Sequence, residues 1–187
     1  LVRELMMLDA DHEVLFLHGG GTTQFMQVPM NLLNENALAA YTETGTWANK
    51  AIKEAKLFGH VEISGSSKST NYTTIPKNFA VALTASYLHI TTNETIAGTQ
   101  WHRLPYDCGV PLVADMSSDI LSRVVDFNKF DLIYAGAQKN MGPAGATLVI
   151  LKKDIVGKHG KTLATMLDYK THLDNDSLYN TPPVFGI

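Results

Sequence analysis

Residues Asp131 to Leu151 read DLIYAGAQKNMGPAGATLVIL. Two pieces of this stretch, Leu132–Ala135 and Thr147–Leu151, are short continuous apolar runs rich in β-branched or aromatic side chains. That is the pattern of strands covered on both faces in a parallel sheet. Between them stand Lys139, flanked by Gln138 and Asn140, and a loop holding Gly142, Pro143 and Gly145. An ammonium at the edge of a buried strand is costly unless it is solvated or employed. The stretch therefore sets a fold expectation and asks what Lys139 is for.

Further out, Val14–Leu17, Tyr87–Ile90 and Leu112–Ala114 repeat the strand pattern. Helical candidates lie between the runs: Phe25–Leu33, apolar at helical spacing, and Trp47–Phe58, where Trp47, Ile52, Ala55 and Phe58 can share a face. Strands alternating with helices predict an α/β domain. Ser64–Lys77 (SGSSKSTNYTTIPK) is polar and rich in breakers, and reads as an exposed excursion rather than a domain boundary. No internal repeat is visible.

At 187 residues and 45% hydrophobic content, the chain can bury the core of about one domain. The balance of 15 basic against 18 acidic residues, without a basic stripe, argues against a nucleic-acid partner. The single Cys108 excludes an internal disulfide framework and fits a reducing, cytoplasmic compartment. No run of about 18 apolar residues could span a bilayer. The chain opens LVRELMMLDADHEVLFL without an initiating Met and closes NTPPVFGI where another element is expected, so it reads as the middle of a longer polypeptide.

Three features carry chemistry. The run His18 to Gln24 (HGGGTTQ) follows a strand and precedes a helix, where free backbone amides can cradle a phosphate. It matches neither nucleotide fingerprint. Asp115 follows the apolar PLVA, and Lys139 follows DLIYAGAQ, so both stand at carboxyl ends of strands, where open α/β sheets bind ligands. Each has a plainer reading: a tight turn, a helix cap assisted by Ser117 and Ser118, a surface lysine. Together they are the parts that pyridoxal phosphate requires, namely a phosphate anchor, a partner for the pyridine nitrogen and an amine for a Schiff base. The histidines 12, 18, 60, 89, 102, 159 and 172 show no ligand spacing, and no metal is assigned.

The segments LFLHGGGTTQF, TGTWANKAIKEAK, NETIAGTQ, ADMSSDILSR, IYAGAQKNMGPAG and DNDSLYNTPPVF closely resemble the phosphoserine aminotransferase family, class V aminotransferases of pyridoxal-phosphate fold type I. They occur in the family's order from Val14 to Phe185, with AGAQKN and NTPP the most specific. The resemblance implies a three-layer α/β/α sandwich around a mainly parallel sheet, with residues 1–187 as a single large cofactor-binding domain. The family's N-terminal segment and C-terminal small domain have no counterpart here. It also implies a cytoplasmic homodimer with a shared active site, acting in serine and pyridoxine biosynthesis by reversible transamination. L-Glutamate and 3-phosphohydroxypyruvate give 2-oxoglutarate and O-phospho-L-serine.

Residue by residue, Lys139 matches the lysine that bonds to pyridoxal 5′-phosphate and moves the α-proton, and Asp115 the carboxylate that keeps the pyridine nitrogen protonated. Trp47 matches the aromatic stacked on the ring, and Thr95 the hydroxyl near the ring's oxygen side. Gly21, Thr22 and Gln138 match phosphate contacts, while Asn180 and Thr181 match residues that reach the neighbouring subunit's cofactor phosphate. The chain departs from the pattern in holding only Arg3, Arg103 and Arg123, with Arg123 read as structural. The substrate's anionic groups normally need arginine clamps, so a cofactor-binding fragment without turnover stands as the alternative. A cysteine desulfurase, which wants histidine before the lysine and a cysteine after it, fits less well: Gln138 precedes Lys139, and Cys108 comes earlier.

Overall fold

The computed structural model describes residues 1–158, 160–181 and 184. Its elements in chain order are α1 (Val2–Leu5), β1 (His12–Leu17), α2 (Gly20–Leu32), β2 (Leu38–Glu43), α3 (Thr46–Ala55) and β3 (His60–Ser66). There follow β4 (Ala85–Thr91), a small hairpin of β5 (Asn93–Glu94) and β6 (Thr99–Gln100), β7 (Leu112–Asp115), β8 (Leu132–Gly136), β9 (Thr147–Lys152) and α4 (Tyr169–Leu173). Seven strands form one sheet in the order β1-β9-β8-β7-β4-β2-β3. The expected α/β architecture around a mainly parallel sheet is met. Only β9 is reversed, antiparallel to β1 and β8, while all other pairings between neighbours are parallel.

The continuous apolar runs lie in the strands, as their burial on both faces requires. One face carries Tyr41, Tyr87, Val113, Leu132, Tyr134 and Val149 against Phe25 and Val28 of α2 and Ile52 and Ala55 of α3. Trp47 and Phe58 pack against the same cluster, as the spacing of WANKAIKEAKLF predicts. The other face carries Leu88, Ile90, Ala114, Ile133 and Ile150, covered by Met6 beside α1 and by the irregular segments bearing Trp101, Ile120, Phe127 and Phe130.

Two strands escape the sequence pattern. β2 (LAAYTE) is rich in alanine, which favours helix in isolation, and β3 (HVEISGS) is a largely exposed edge strand with no apolar run. Parallel pairing between distant segments overrides both tendencies. β3 runs to Ser66, so the expected excursion begins as strand, and the residues after it form a short 3-10 turn and bends. α2 also starts earlier than its apolar pattern, at Gly20, because the glycine turn itself enters the helix.

Six of the seven strands point the same way, so the carboxyl ends of β1, β2, β4, β7 and β8 meet along one edge of the sheet. That edge receives the glycine run, the start of α3, the β5–β6 hairpin, Asp115 and Lys139. Among the described residues no helix is long and apolar enough to cross a membrane.

Candidate active site

After β1 the chain turns through Gly19 and Gly20 at φ of 94° and 70°. A Cβ on Gly19 would lie 2.1 Å from Thr23 Oγ1, whose hydroxyl donates to Gly19 O at 2.8 Å. This close left-handed entry needs glycine. Among the described residues no side chain caps the start of α2, so the amides of its first turn are open to an anion. A Cβ on Gly21 would meet Ser117 Oγ at 3.0 Å and Tyr134 Cε2 at 3.9 Å, which sets the glycine turn against the end of β7. The next residue, Thr22, is exposed.

Asp115 ends β7 and is 6% exposed. Its Oδ1 accepts the Ser117 N–H at 2.9 Å. Burial pushes the carboxyl pKa up, while the Ser117 hydrogen bonds and the Lys139 charge act to hold it down. Residues 117–121 form turns, so Asp115 closes a local turn instead of capping a helix. Ser117 also accepts the Gly136 N–H at 3.1 Å through its Oγ, tying the end of β8 to the end of β7.

Beyond β8, Met141 and Gly142 both donate backbone N–H to Ala137 O, closing a compact loop, and Asn140 Nδ2 donates to Ile120 O. Gln138 folds back toward Gly136, where a Cβ would stand 2.8 Å from Gln138 Oε1. Lys139 sits exposed in this anchored loop with its Nζ 5.0 Å from the centroid of the Trp47 ring. The indole Nε1 of Trp47 donates to Thr95 Oγ1 at 3.1 Å, and Lys50 Nζ lies 4.3 Å from the same ring.

The expected residues Gly21, Trp47, Thr95, Asp115, Gln138 and Lys139 thus gather at the strand ends, with Thr22 beside Gly21. Asn180 and Thr181 are exposed, and among the described residues neither is hydrogen-bonded to this group. Pro182 and Pro183 of the NTPP motif lie outside the described residues. Arg123 Nη2 donates to Trp101 O at 2.5 Å, and Arg3 is taken up by His12 O, Asp9 O and Glu13. Cys108 stands before the first residue of β7, at the amino edge of the sheet, with its thiol donating to Val110 O and its pKa raised by burial. It is therefore at the wrong edge to attack anything held by Lys139.

Sequence reading missed two members. Glu94 is fully buried and accepts the Trp47 and Ala48 N–H groups at 3.1 and 2.8 Å. Its only signal was the start TGTW, which puts Gly45 where a capping side chain is usual. The other is the layer beneath Asp115: His89 Nε2 pairs with Tyr134 OH at 2.8 Å, and Tyr41 stacks on His89 with ring centroids 4.8 Å apart. Burial pushes the His89 pKa down to about 3, so the ring is neutral.

A family model described as aminotransferase class-V matches residues 1–187. The phosphoserine aminotransferase of Flavobacterium psychrophilum is 56% identical over all of this chain and 52% of its own length. That of Niallia circulans is 54% identical over 94% of this chain and 49% of its own length. Among solved structures, phosphoserine aminotransferase from Bacillus circulans subsp. alkalophilus superposes with a TM-score of 0.94 at 51% identity, over 98% of this chain and 52% of that one. A pyridoxal-phosphate-bound phosphoserine aminotransferase from Trichomonas vaginalis gives 0.88 at 33% identity, over 97% and 52%. The chain spans about half the length of the curated relatives it matches.

Proposed function

The chain belongs to the aminotransferase class-V family, and we propose that it is the large cofactor-binding domain of a cytoplasmic, homodimeric phosphoserine aminotransferase. Its reaction is reversible transfer of an amino group between L-glutamate and 3-phosphohydroxypyruvate, giving 2-oxoglutarate and O-phospho-L-serine. The observation that supports this best is the convergence of an exposed lysine, a half-buried tryptophan and a buried carboxylate at one sheet edge, in a chain 56% identical to a phosphoserine aminotransferase.

The residues fit pyridoxal 5′-phosphate. Gly21 leaves the space beside Ser117 that a Cβ would fill, and the uncapped start of α2 suits a phosphate dianion. Gly21, Thr22 and Gln138 would hold that phosphate, Trp47 would lie on the ring face, and Thr95 would stand beside it. Asn180 and Thr181 would serve the neighbouring subunit's phosphate. When bound, the cofactor supplies an aldehyde that captures amines and a protonated ring that accepts the electron pair of a broken Cα–H bond.

The chain's own groups do the rest. Lys139 Nζ would hold the cofactor covalently before substrate arrives. Once freed and unprotonated, it would take the proton from the substrate's α-carbon. Asp115, shielded from water, interacts strongly with any positive charge placed opposite it, because little solvent screens the pair. An ionised Asp115 would thereby favour a proton on the nitrogen of a ring bound opposite it. The Ser117 and Asn140 hydrogen bonds hold the two strand ends in register, so the lysine and the carboxylate approach a ligand from fixed positions. Arg3 and Arg123 are engaged within the fold, so on this reading neither of them serves as an arginine clamp for substrate carboxylates and phosphate.

The test is direct. Protein incubated with pyridoxal 5′-phosphate, reduced with borohydride and digested should carry the cofactor's mass on Lys139. In the full-length protein containing this chain, glutamate alone should yield about one equivalent of 2-oxoglutarate per site, and 3-phosphohydroxypyruvate should turn this into repeated cycles. A protein that takes up no cofactor overturns the reading.

A further inference from the structure

Trp47 is gripped at both ends by consecutive residues of the β5–β6 hairpin. Thr95 accepts its indole N–H at 3.1 Å, and Glu94 accepts its backbone N–H at 3.1 Å and that of Ala48 at 2.8 Å. Glu94 is fully buried, and both of its oxygens are used by the first turn of α3. It is a cap supplied from another part of the chain, since the residue at the usual capping position, Gly45, has no side chain. Glycine is needed there for space alone: a Cβ would lie 2.6 Å from Glu94 Oε2.

A carboxylate at this place does more than end a helix. The positive end of the α3 dipole and two backbone donors favour its charged form, against the burial that pushes its pKa up. Asp115 and Lys139 both lie close enough to act on this carboxyl, Asp115 pushing its pKa up and Lys139 holding it down. We infer that Glu94 is a positioning residue: by holding the first turn of α3 it fixes the plane and depth of the Trp47 ring against which the cofactor stacks. This rests on the proposed pyridoxal-phosphate site and deepens it. The ring that a ligand must meet is set from its backbone by Glu94 and from its indole by Thr95, so α3, the hairpin and the cofactor are oriented as one unit.

The experiment compares the intact protein with its Glu94→Gln, Gly45→Ala and Ala55→Gly variants. Glu94→Gln keeps the shape but turns one acceptor into a donor facing a donor. Gly45→Ala presses on the same carboxylate from the other side. Ala55→Gly weakens the far end of α3, at the last residue of the helix and away from the first turn that Glu94 holds. The readouts are the pyridoxal-phosphate dissociation constant, the visible band of the bound cofactor, and the indole N–H resonance of Trp47 in cofactor-free protein, assigned with Trp47→Phe. Glu94→Gln and Gly45→Ala should each weaken binding about tenfold, as expected for one charge-assisted hydrogen bond. Both should move the Trp47 resonance and the band, whereas Ala55→Gly lowers thermal stability and moves neither. If Glu94→Gln binds as tightly as wild type with an unmoved Trp47 resonance, Glu94 is a structural cap only and the inference fails, while the proposed function stands. A wild-type protein that binds no pyridoxal phosphate overturns both.

Discussion

Lys139 Nζ stands 5.0 Å from the centre of the Trp47 ring, although the two residues are separated by most of the sheet's connections. A flexible amine is thereby kept beside a flat apolar surface, the arrangement in which it can capture a ring stacked on that surface. Lys139→Ala should retain the fold, since the side chain is exposed. It should lose the visible band and slow the glutamate half-reaction by about 10²–10⁴-fold. Stopped-flow formation of 2-oxoglutarate measures this.

The Trp47–Thr95 hydrogen bond gives a prediction about coupling. Trp47→Phe and Thr95→Val each remove one partner, and the double variant should cost less than the two single costs added. The expected interaction is about 0.5–1.5 kcal/mol in cofactor binding. Calorimetric titration of the four proteins with pyridoxal 5′-phosphate would show it, and strict additivity would mean that the bond does not orient the ring.

Asp115→Asn keeps an oxygen for the Ser117 N–H and nearly the same volume. Thermal stability should therefore change little, and cofactor should still attach to Lys139. On the proposed role of Asp115 as the partner of the ring nitrogen, turnover should fall on the order of 10²-fold or more, as for other losses of preorganised electrostatic stabilisation. The split between retained attachment and lost turnover separates a catalytic from a structural aspartate.

The two left-handed glycines should respond unequally. Gly20→Ala introduces a Cβ with nothing within 4 Å and bears only the strain of φ 70°, about 1–2 kcal/mol. Gly19→Ala adds a collision with Thr23 at 2.1 Å to a φ of 94° and should cost about 1–3 kcal/mol more than Gly20→Ala. It should also displace the start of α2, so that phosphate-dependent binding weakens beyond the loss of stability. Urea unfolding and cofactor titration of both variants provide the comparison.

His89 makes stability depend on acid. Its pKa in the fold lies near 3 because burial disfavours the charged ring, while in the unfolded chain it is about 6.5. Between these values the unfolded state binds a proton that the native state refuses. Stability from this group is therefore intact above about pH 6.5 and falls as pH drops toward 3, by up to about 1.4 kcal/mol per pH unit. His89→Gln should flatten that slope over the same window whatever it does to stability at neutral pH. Urea unfolding at a series of pH values reads the slope directly.

The strands that carry Asp115 and Lys139 were legible because burial on both faces leaves continuous apolar runs, and a charged residue at the end of such a run stands out. The glycine run was legible because few side chains tolerate the φ values at Gly19 and Gly20. The helix bearing Trp47 showed its buried face through spacing alone. β2 and β3 were not legible, because an alanine-rich strand and a polar edge strand become strands only through their neighbours.

The sequence by itself determined which segments could be strands and helices, and which reactive groups stood at their ends, because hydrophobic patterning and backbone strain act over a few residues. Only the tertiary structure decided that these ends meet at one sheet edge, that β9 turns back between β1 and β8, and that Glu94 closes the helix under Trp47. Strand pairing and a cap supplied from 47 residues away leave no trace in local composition. Their energy comes from contacts that exist only once the chain has folded.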